Sequence, residues 1–212
     1  MLKVTEIFYS IQGESTYAGL PCIFVRLTDC NLRCHYCDTR YAYEEGRSMD
    51  VESALQEISK FNCALVEITG GEPLLQDETS ELASKLIDQG KLVLVETNGT
   101  KNIDVLPEPV IRIMDIKCPG SGESEKTDWE NMNRLRQADN VKFVISSRGD
   151  FDWSVHVVSE YHLLSKVVVL FSPAFGILEP GKLAQWILEA ALPVCLHLQL
   201  HKYIWAPNRR GV

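Results

Sequence analysis

No stretch of the 212-residue sequence is apolar over a membrane-spanning length, so no transmembrane helix is expected. The opening residues, MLKVTEIFYSIQGES, are broken by Glu6, Gln12, Gly13 and Glu14 and do not build the continuous apolar stretch of a secretory signal. Runs of Lys or Arg are missing too. Acidic residues outnumber basic ones 29 to 21, the formal net charge is -8, and no positive stripe is present to track a phosphate backbone. Nucleic acid is therefore not expected as a direct ligand. There is no internal repeat, low-complexity tract or linker, and 45% hydrophobic with 24% charged residues is the balance of one ordinary globular domain spanning 1–212. Seven cysteines, an odd number in a chain with no export signal, exclude a fully paired disulfide framework and point to reduced thiols or metal ligands in the cytoplasm.

Apolar, β-branched runs recur at Ile23 to Leu27, Leu65 to Ile68, Leu92 to Val95, Ile111 to Ile116, Val141 to Ile145, Val167 to Phe171 and Val194 to Leu200, and each reads as a buried strand. Helical patterns lie between several of them: Asp50 to Phe61 with Asp50 as N-cap, Glu78 to Gln89, Asp128 to Gln137 and Pro180 to Ala191. Alternation of this kind predicts an α/β fold with a mostly parallel sheet. Because 212 residues is at the short end for eight β/α units, a partial or reduced (β/α) barrel is expected. Its site should gather at the carboxyl ends of the strands, where Gly70-Gly71-Glu72-Pro73, Glu96-Thr97-Asn98-Gly99 and Ser172-Pro173-Ala174-Phe175-Gly176 each follow a strand.

Cys30-Asn31-Leu32-Arg33-Cys34-His35-Tyr36-Cys37 places three thiols in one short loop after the strand that ends near Leu27. Three soft ligands so close together suggest iron–sulfur or zinc. A closed electron-transfer cluster normally takes four protein ligands, whereas three leave one iron open for chemistry. Zinc with His35 as fourth ligand is the competing assignment, although a neighbour of Cys34 reaches tetrahedral geometry with difficulty. Cys22, Cys63, Cys118 and Cys195 lie in or beside apolar stretches and read as small core residues.

The C-x3-C-x2-C spacing followed by Gly-Gly-Glu-Pro resembles the radical S-adenosylmethionine superfamily. Ser10-Ile11-Gln12-Gly13-Glu14, Phe24-Val25-Arg26-Leu27, Cys37-Asp38-Thr39, Glu96-Thr97-Asn98-Gly99 and His201-Lys202-Tyr203-Ile204-Trp205 narrow the resemblance, nearly end to end, to the 7-carboxy-7-deazaguanine synthase family. Ser15 departs from the family's usual Gly and Tyr36 from its common Trp. The resemblance implies a carbon–nitrogen lyase that converts 6-carboxy-5,6,7,8-tetrahydropterin to 7-carboxy-7-deazaguanine with loss of ammonia, a step toward queuosine and other 7-deazapurines. It also implies a homodimer and an electron donor such as flavodoxin or ferredoxin.

By that resemblance Cys30, Cys34 and Cys37 hold a [4Fe–4S] cluster, and S-adenosylmethionine completes the fourth iron. Tyr36, Cys37, Asp38, Gly71, Glu96, Asp115, Ile116, Lys117, Ser172, Pro173, Ala174 and Phe175 are the implied cofactor contacts. The Gly70-Gly71 segment, free of side chains, would meet the cofactor's amino group, and Glu96 would accept both ribose hydroxyls. Ile11, Gln12, Gly13, Arg26, Thr69 and Val212 are the implied substrate contacts, Arg26 through bidentate pairing with a carboxylate and Val212 through its terminal carboxylate. Thr39 is the implied Mg2+ ligand, a sparse protein ligation that magnesium accepts because it keeps substrate oxygens and water. Glu14, Gln199 and His201 are further candidates for the pocket. Each has a plainer alternative: the glycines as a strand-ending turn, Glu96 as a solvated strand end, Arg26 as an outward-facing strand residue, Asp38-Thr39 as a turn or cap, and residues 208–212 as a frayed tail. A glycyl-radical activase shares the cysteine spacing, and a noncatalytic Fe–S or zinc module is the alternative of another class.

Overall fold

The computed structural model describes residues 1–212. Nine strands form one sheet: β1 Leu2–Ile11, β2 Pro21–Leu27, β3 Arg47–Met49, β4 Leu65–Gly70, β5 Leu92–Thr97, β6 Ile111–Ile116, β7 Asn140–Ile145, β8 Val168–Pro173 and β9 Cys195–Leu196. Their order is β3-β1-β2-β4-β5-β6-β7-β8-β9. From β2 to β9 neighbours run parallel, whereas β1 pairs antiparallel with both β2 and β3. The edges do not meet, so the architecture is an open, partial β/α barrel. Helices α1 Val51–Ile58, α2 Glu78–Asp88, α3 Asn131–Arg134, α4 Arg148–Glu160, α5 Pro180–Glu189 and α6 His201–Ile204 complete the chain. None is long and apolar enough to cross a membrane.

Strand alternation divides the sheet into two faces. Ile23, Val25, Val66, Ile68, Val93 and Val95 point outward and pack with Ala54, Leu55, Leu82 and Leu86 of α1 and α2. In the other half Met114, Ile116, Val141, Phe143, Val169 and Phe171 pack with Phe151 and Val158 of α4 and with Leu183 and Trp186 of α5. Residues one position along face inward. At the amino ends of the strands these are apolar: Cys22, Phe24, Leu65, Leu94, Ile111 and Ile113 plug the barrel floor. Toward the carboxyl ends the inward residues turn polar, with Arg26 paired to Thr69 and Asp115 to Lys142.

Several expected elements have different bounds. Asp50 does cap α1, accepting from the Ser53 N–H at 2.7 Å. The helix expected over Asp128 to Gln137 shrinks to Asn131–Arg134, because Leu135 is extended and the Arg134 carbonyl accepts from the buried Arg112 guanidinium instead of continuing the helix. The strand expected over Val194 to Leu200 shrinks to Cys195–Leu196; its last ladder bond is His197 N–H to Phe171, after which the chain leaves the edge and Leu200 N–H bonds the Gly13 carbonyl.

Candidate active site

The cysteine loop begins where β2 ends. Asp29 takes a left-handed φ of 79°, and its N–H and carbonyl are tied to Ala42 and Glu72 at 2.8 and 2.7 Å. Arg33 then braces the turn, its guanidinium donating to the carbonyls of Cys30 and Leu32 at 2.6 and 2.7 Å while its N–H bonds Glu123 at 2.6 Å. The result is that Cys30, Cys34 and Cys37 all line one cavity of about 590 Å³. No three His, Cys, Asp or Glu side chains converge tightly enough to hold one metal ion, His35 included. A [4Fe–4S] cluster asks for something else, one thiolate on each of three irons, and three thiols facing a common space fit it. Burial pushes the Cys34 thiol up to about 11 against the opposing pull of Lys117, so an iron cation must displace the proton.

Beside this loop lies Gly70-Gly71-Glu72-Pro73. Gly70 has a φ of 137°, and a Cβ on it would overlap the Leu27 carbonyl; a Cβ on Gly71 would overlap the carbonyl of Asp29. Glycine is required here so that this segment can lie against the cysteine loop. Glu72 is fully buried and points away from the cavity, accepting from Thr97 Oγ1 at 2.8 Å, Asn98 N–H at 2.6 Å and Leu74 N–H at 2.9 Å. It therefore splices the end of β4 to the end of β5, with Asn98 continuing to Asn31 at 3.0 Å.

The opposite wall is charged. Lys142, 5% exposed, donates to Glu14 at 2.7 Å and to Glu96, and lies 3.3 Å from Asp115, which Lys117 also holds at 2.9 Å. Thr69 donates to Glu96 at 3.2 Å. Burial alone would raise Glu14, but Lys142, with lesser help from His197 and His201, holds its carboxyl well below the usual range. On Glu67 burial prevails: its carboxyl is pushed up to about 8 by burial and by the charges of Glu96 and Glu14, against the smaller opposing pull of the Gln12 hydrogen bond and of Lys142. The cavity thus sorts its acids, Glu14 ionised and Glu67 neutral at pH 7.

Of the residues implied for the cofactor, Tyr36, Cys37, Asp38 and Gly71 line the cavity, as do Glu96, Asp115 and Lys117 and, from the loop after β8, Ala174 and Phe175. Ile116 turns its side chain into the outer core. Ser172 is buried and Pro173 faces a smaller neighbouring cleft, so contacts from these three would run through the backbone. Of the substrate set, Ile11, Gln12, Gly13, Arg26, Thr69 and Val212 all line the cavity, and Thr39 lies among them. Arg26 faces inward; its Nε bonds Glu6 at 2.8 Å and its terminal nitrogens take no protein acceptor. The Gln12 side chain is already committed, donating to Glu67 and accepting from the Glu14 N–H at 3.0 Å. The last residues are seated, with Arg210 stacked over Tyr41 at 3.8 Å and paired to Glu45 at 2.7 Å.

Lys142 and Glu67 are cavity residues that the motifs did not single out. Both interrupt apolar strand runs, Val141-Lys142-Phe143 and Val66-Glu67-Ile68. In a parallel sheet covered by helices on its outer face, a charge in such a run either faces the barrel interior, as these two do, or needs a buried partner of its own, as Arg112 has in Asp139.

Residues 25–115 match the Radical SAM superfamily. The chain is 44% identical to a 7-carboxy-7-deazaguanine synthase of Koribacter versatilis, covering 100% of both sequences. It is 45% identical to that of Chlorobaculum tepidum, over 100% of this chain and 97% of the relative. Among solved structures, QueE from Escherichia coli superposes with a TM-score of 0.79 at 21% identity, over 94% of each chain, and Streptococcus suis SuiB bound to S-adenosylmethionine with a TM-score of 0.58 at 12% identity, over 81% of this chain and 48% of that one. These two likenesses speak to the fold, while the full-length relatives carry the assignment: the chain belongs to the 7-carboxy-7-deazaguanine synthase family of radical S-adenosylmethionine enzymes.

Proposed function

We propose that residues 1–212 act as one radical S-adenosylmethionine domain that converts 6-carboxy-5,6,7,8-tetrahydropterin to 7-carboxy-7-deazaguanine. The conversion balances with ammonia as the only other product, so no external oxidant is consumed. The observation that carries the reading is that one cavity is lined by all three loop thiols, by Gly71 and by an inward guanidinium, Arg26. Cys30, Cys34 and Cys37 would hold the cluster, with Glu96, Asp115 and the loop after β8 around S-adenosylmethionine. When bound, these groups supply the electron and the hydrogen-abstracting adenosyl moiety that start the rearrangement.

The protein's own part is placement and shielding. Arg26 offers its two free terminal nitrogens to the substrate carboxylate, braced by Glu6 and packed over Phe8 and Tyr41 at 5.8 and 5.9 Å. Ionised Glu14 suits the N–H groups of a guanine-like edge, and Gln12, fixed between Glu67 and Glu14, sets the position of that segment. Thr39, beside Cys37, would give its hydroxyl to Mg2+ along with substrate oxygens and water. Val212 belongs to the substrate end. A reducing, cytoplasmic setting, a flavodoxin- or ferredoxin-like electron donor and a homodimer complete the proposal. Anaerobic reconstitution, followed by assay with the carboxytetrahydropterin, S-adenosylmethionine, Mg2+ and a reductant, tests it; the deazaguanine product with stoichiometric ammonia is expected, and cofactor cleavage with no change in the pterin would refute it.

A further inference from the structure

We propose that Lys142 is a positioning residue that ties the two ends of the cavity together: one ammonium, shared among Glu14 at the substrate end and Glu96 and Asp115 at the cofactor end, holds all three carboxylates where their ligands need them. This rests on the functional reading above for which end is which. The ammonium donates hydrogen bonds to Glu14 and Glu96 and lies 3.3 Å from Asp115, and the three carboxylates come from three separate parts of the chain: the β1–β2 connection, the end of β5 and the end of β6. Lys142 is 5% exposed, so bulk water supplies little of its solvation. Its stem rises from β7 directly beside Asp115, in register across the parallel ladder.

The bonds that leave this hub run to both ligand regions. Glu14 also accepts from Gln199 at 2.9 Å, and Gln199 reaches Asp38, next to Cys37, at 3.2 Å. Glu96 also accepts from Thr69. Asp115 keeps Lys117 on one oxygen while its other oxygen, Oδ1, is buried without any partner and is left for a ligand. Without Lys142 the one lysine left is Lys117, held on Asp115, and the repulsion among the three carboxylates would displace Glu96 or leave it protonated, either of which spoils an acceptor for a ribose diol. The signature of sharing is that damage at the cofactor end can be repaired from the substrate end. A residue that merely filled space beside Glu96 would show no such dependence on Glu14.

The test is S-adenosylmethionine binding, by equilibrium dialysis against the reconstituted, unreduced enzyme at pH 8, so that no turnover occurs. Lys142→Met is expected to weaken cofactor affinity by about tenfold or more, and the added substitution Glu14→Gln, which removes one of the repelling charges, to recover most of that loss. Cofactor affinity unchanged in Lys142→Met, or a double variant that binds no better than the single one, would overturn the proposal. If Lys142→Met does not assemble a cluster, Lys142→Arg carries the test: it keeps the charge but not the geometry of the sharing, because a longer, planar guanidinium spreads its donors in one plane rather than around a single Nζ. It should bind cofactor nearly as the unaltered protein does while forming less deazaguanine per cofactor cleaved; an unchanged ratio overturns the assignment. Absence of cofactor binding in the unaltered protein would instead sink the functional reading itself.

Discussion

Glu67→Gln should stabilise the protein at neutral and alkaline pH, in spite of removing an ionisable group from the heart of the cavity. Glu67 is 3% exposed, accepts from Gln12, and is pushed up from 4.5 to about 8 by burial and by Glu96 and Glu14. Its sign follows from proton counting. Between those two values the unfolded chain releases the Glu67 proton and the folded chain keeps it, so stability falls as pH rises through the window and is level above it. Each pH unit across that window is worth about 1.4 kcal/mol, which makes the penalty roughly 4–5 kcal/mol at pH 8 and above and much smaller near pH 5. Glutamine is neutral at every pH and its carbonyl can still accept from Gln12, so the variant escapes the penalty without losing the bond. For a domain of this size that corresponds to a melting temperature higher by on the order of 10 °C at pH 8. Anaerobic thermal melts of both proteins from pH 5.5 to 8.5 measure it; the gap should open steadily with pH. Two curves that run parallel across that range would show that Glu67 is ionised in the folded chain and that the proposed sorting of acids is wrong.

Cys34→Ala should lose cluster iron and all reductive cofactor cleavage while keeping its far-ultraviolet circular dichroism; normal iron content would contradict the ligand set. Arg26→Ala should raise KM for the pterin with little change in cofactor affinity, by the roughly 1.5–3 kcal/mol of a charge-assisted contact, and an unaltered KM would remove Arg26 from the substrate site. Thr39→Ala should blunt the response of turnover to Mg2+ and leave uncoupled cofactor cleavage in place, so a wild-type magnesium titration speaks against it. Asp139→Ala should destabilise the fold by about 3–5 kcal/mol in denaturant titration, because it strands the fully buried Arg112 guanidinium that Asp139 holds at 2.5 and 2.9 Å; a loss under about 1 kcal/mol would mean that Asp104 suffices.

The outer half of the barrel was legible because its strands obey a simple rule. Ile111 to Ile116 begins and ends as expected, and β2, β4, β5, β7 and β8 differ from their apolar runs by at most two residues at either end. β1 was not legible: Lys3, Thr5, Glu6 and Ser10 dilute its apolar pattern, and it is defined by antiparallel pairing with β2, a contact that local sequence does not encode. Helix α4 escaped for a related reason. Arg148-Gly149-Asp150 opens it without a strong apolar period, and its Ser147 cap, which accepts from the Asp150 N–H at 3.2 Å, is an ordinary Ser until the helix is seen. The cysteine loop and the two glycines were legible as motifs, but the reason for Gly71 was not, since the atom it must avoid, the Asp29 carbonyl, belongs to a different strand end. Ser15 shows the converse: the motif resemblance leads one to expect glycine there, and its φ of 63° is the left-handed backbone that glycine adopts most easily.

The charged wall follows from the same alternation that makes the core. On the parallel strands the outward positions meet helices and are mainly apolar, Arg112 with its partner Asp139 being the charged exception, so the inward positions near the carboxyl end are the ones free to carry chemistry. β4 supplies Glu67 and Thr69, β5 supplies Glu96, β6 supplies Asp115 and β7 supplies Lys142, one or two from each strand. Adjacent strands place them at close quarters, and a group of acids that near one another cannot all be ionised without a cation. Lys142 and Lys117 supply it on one side of the cavity, where Glu14 and Asp115 stay charged, whereas Glu67 has no ion pair, burial outweighs the more distant pull of Lys142, and it keeps its proton. Protonation states in this site are therefore set by which strand carries the lysine. Moving that charge by one residue along β7 would turn it into the outer core and leave the acids to settle their repulsion by taking up protons.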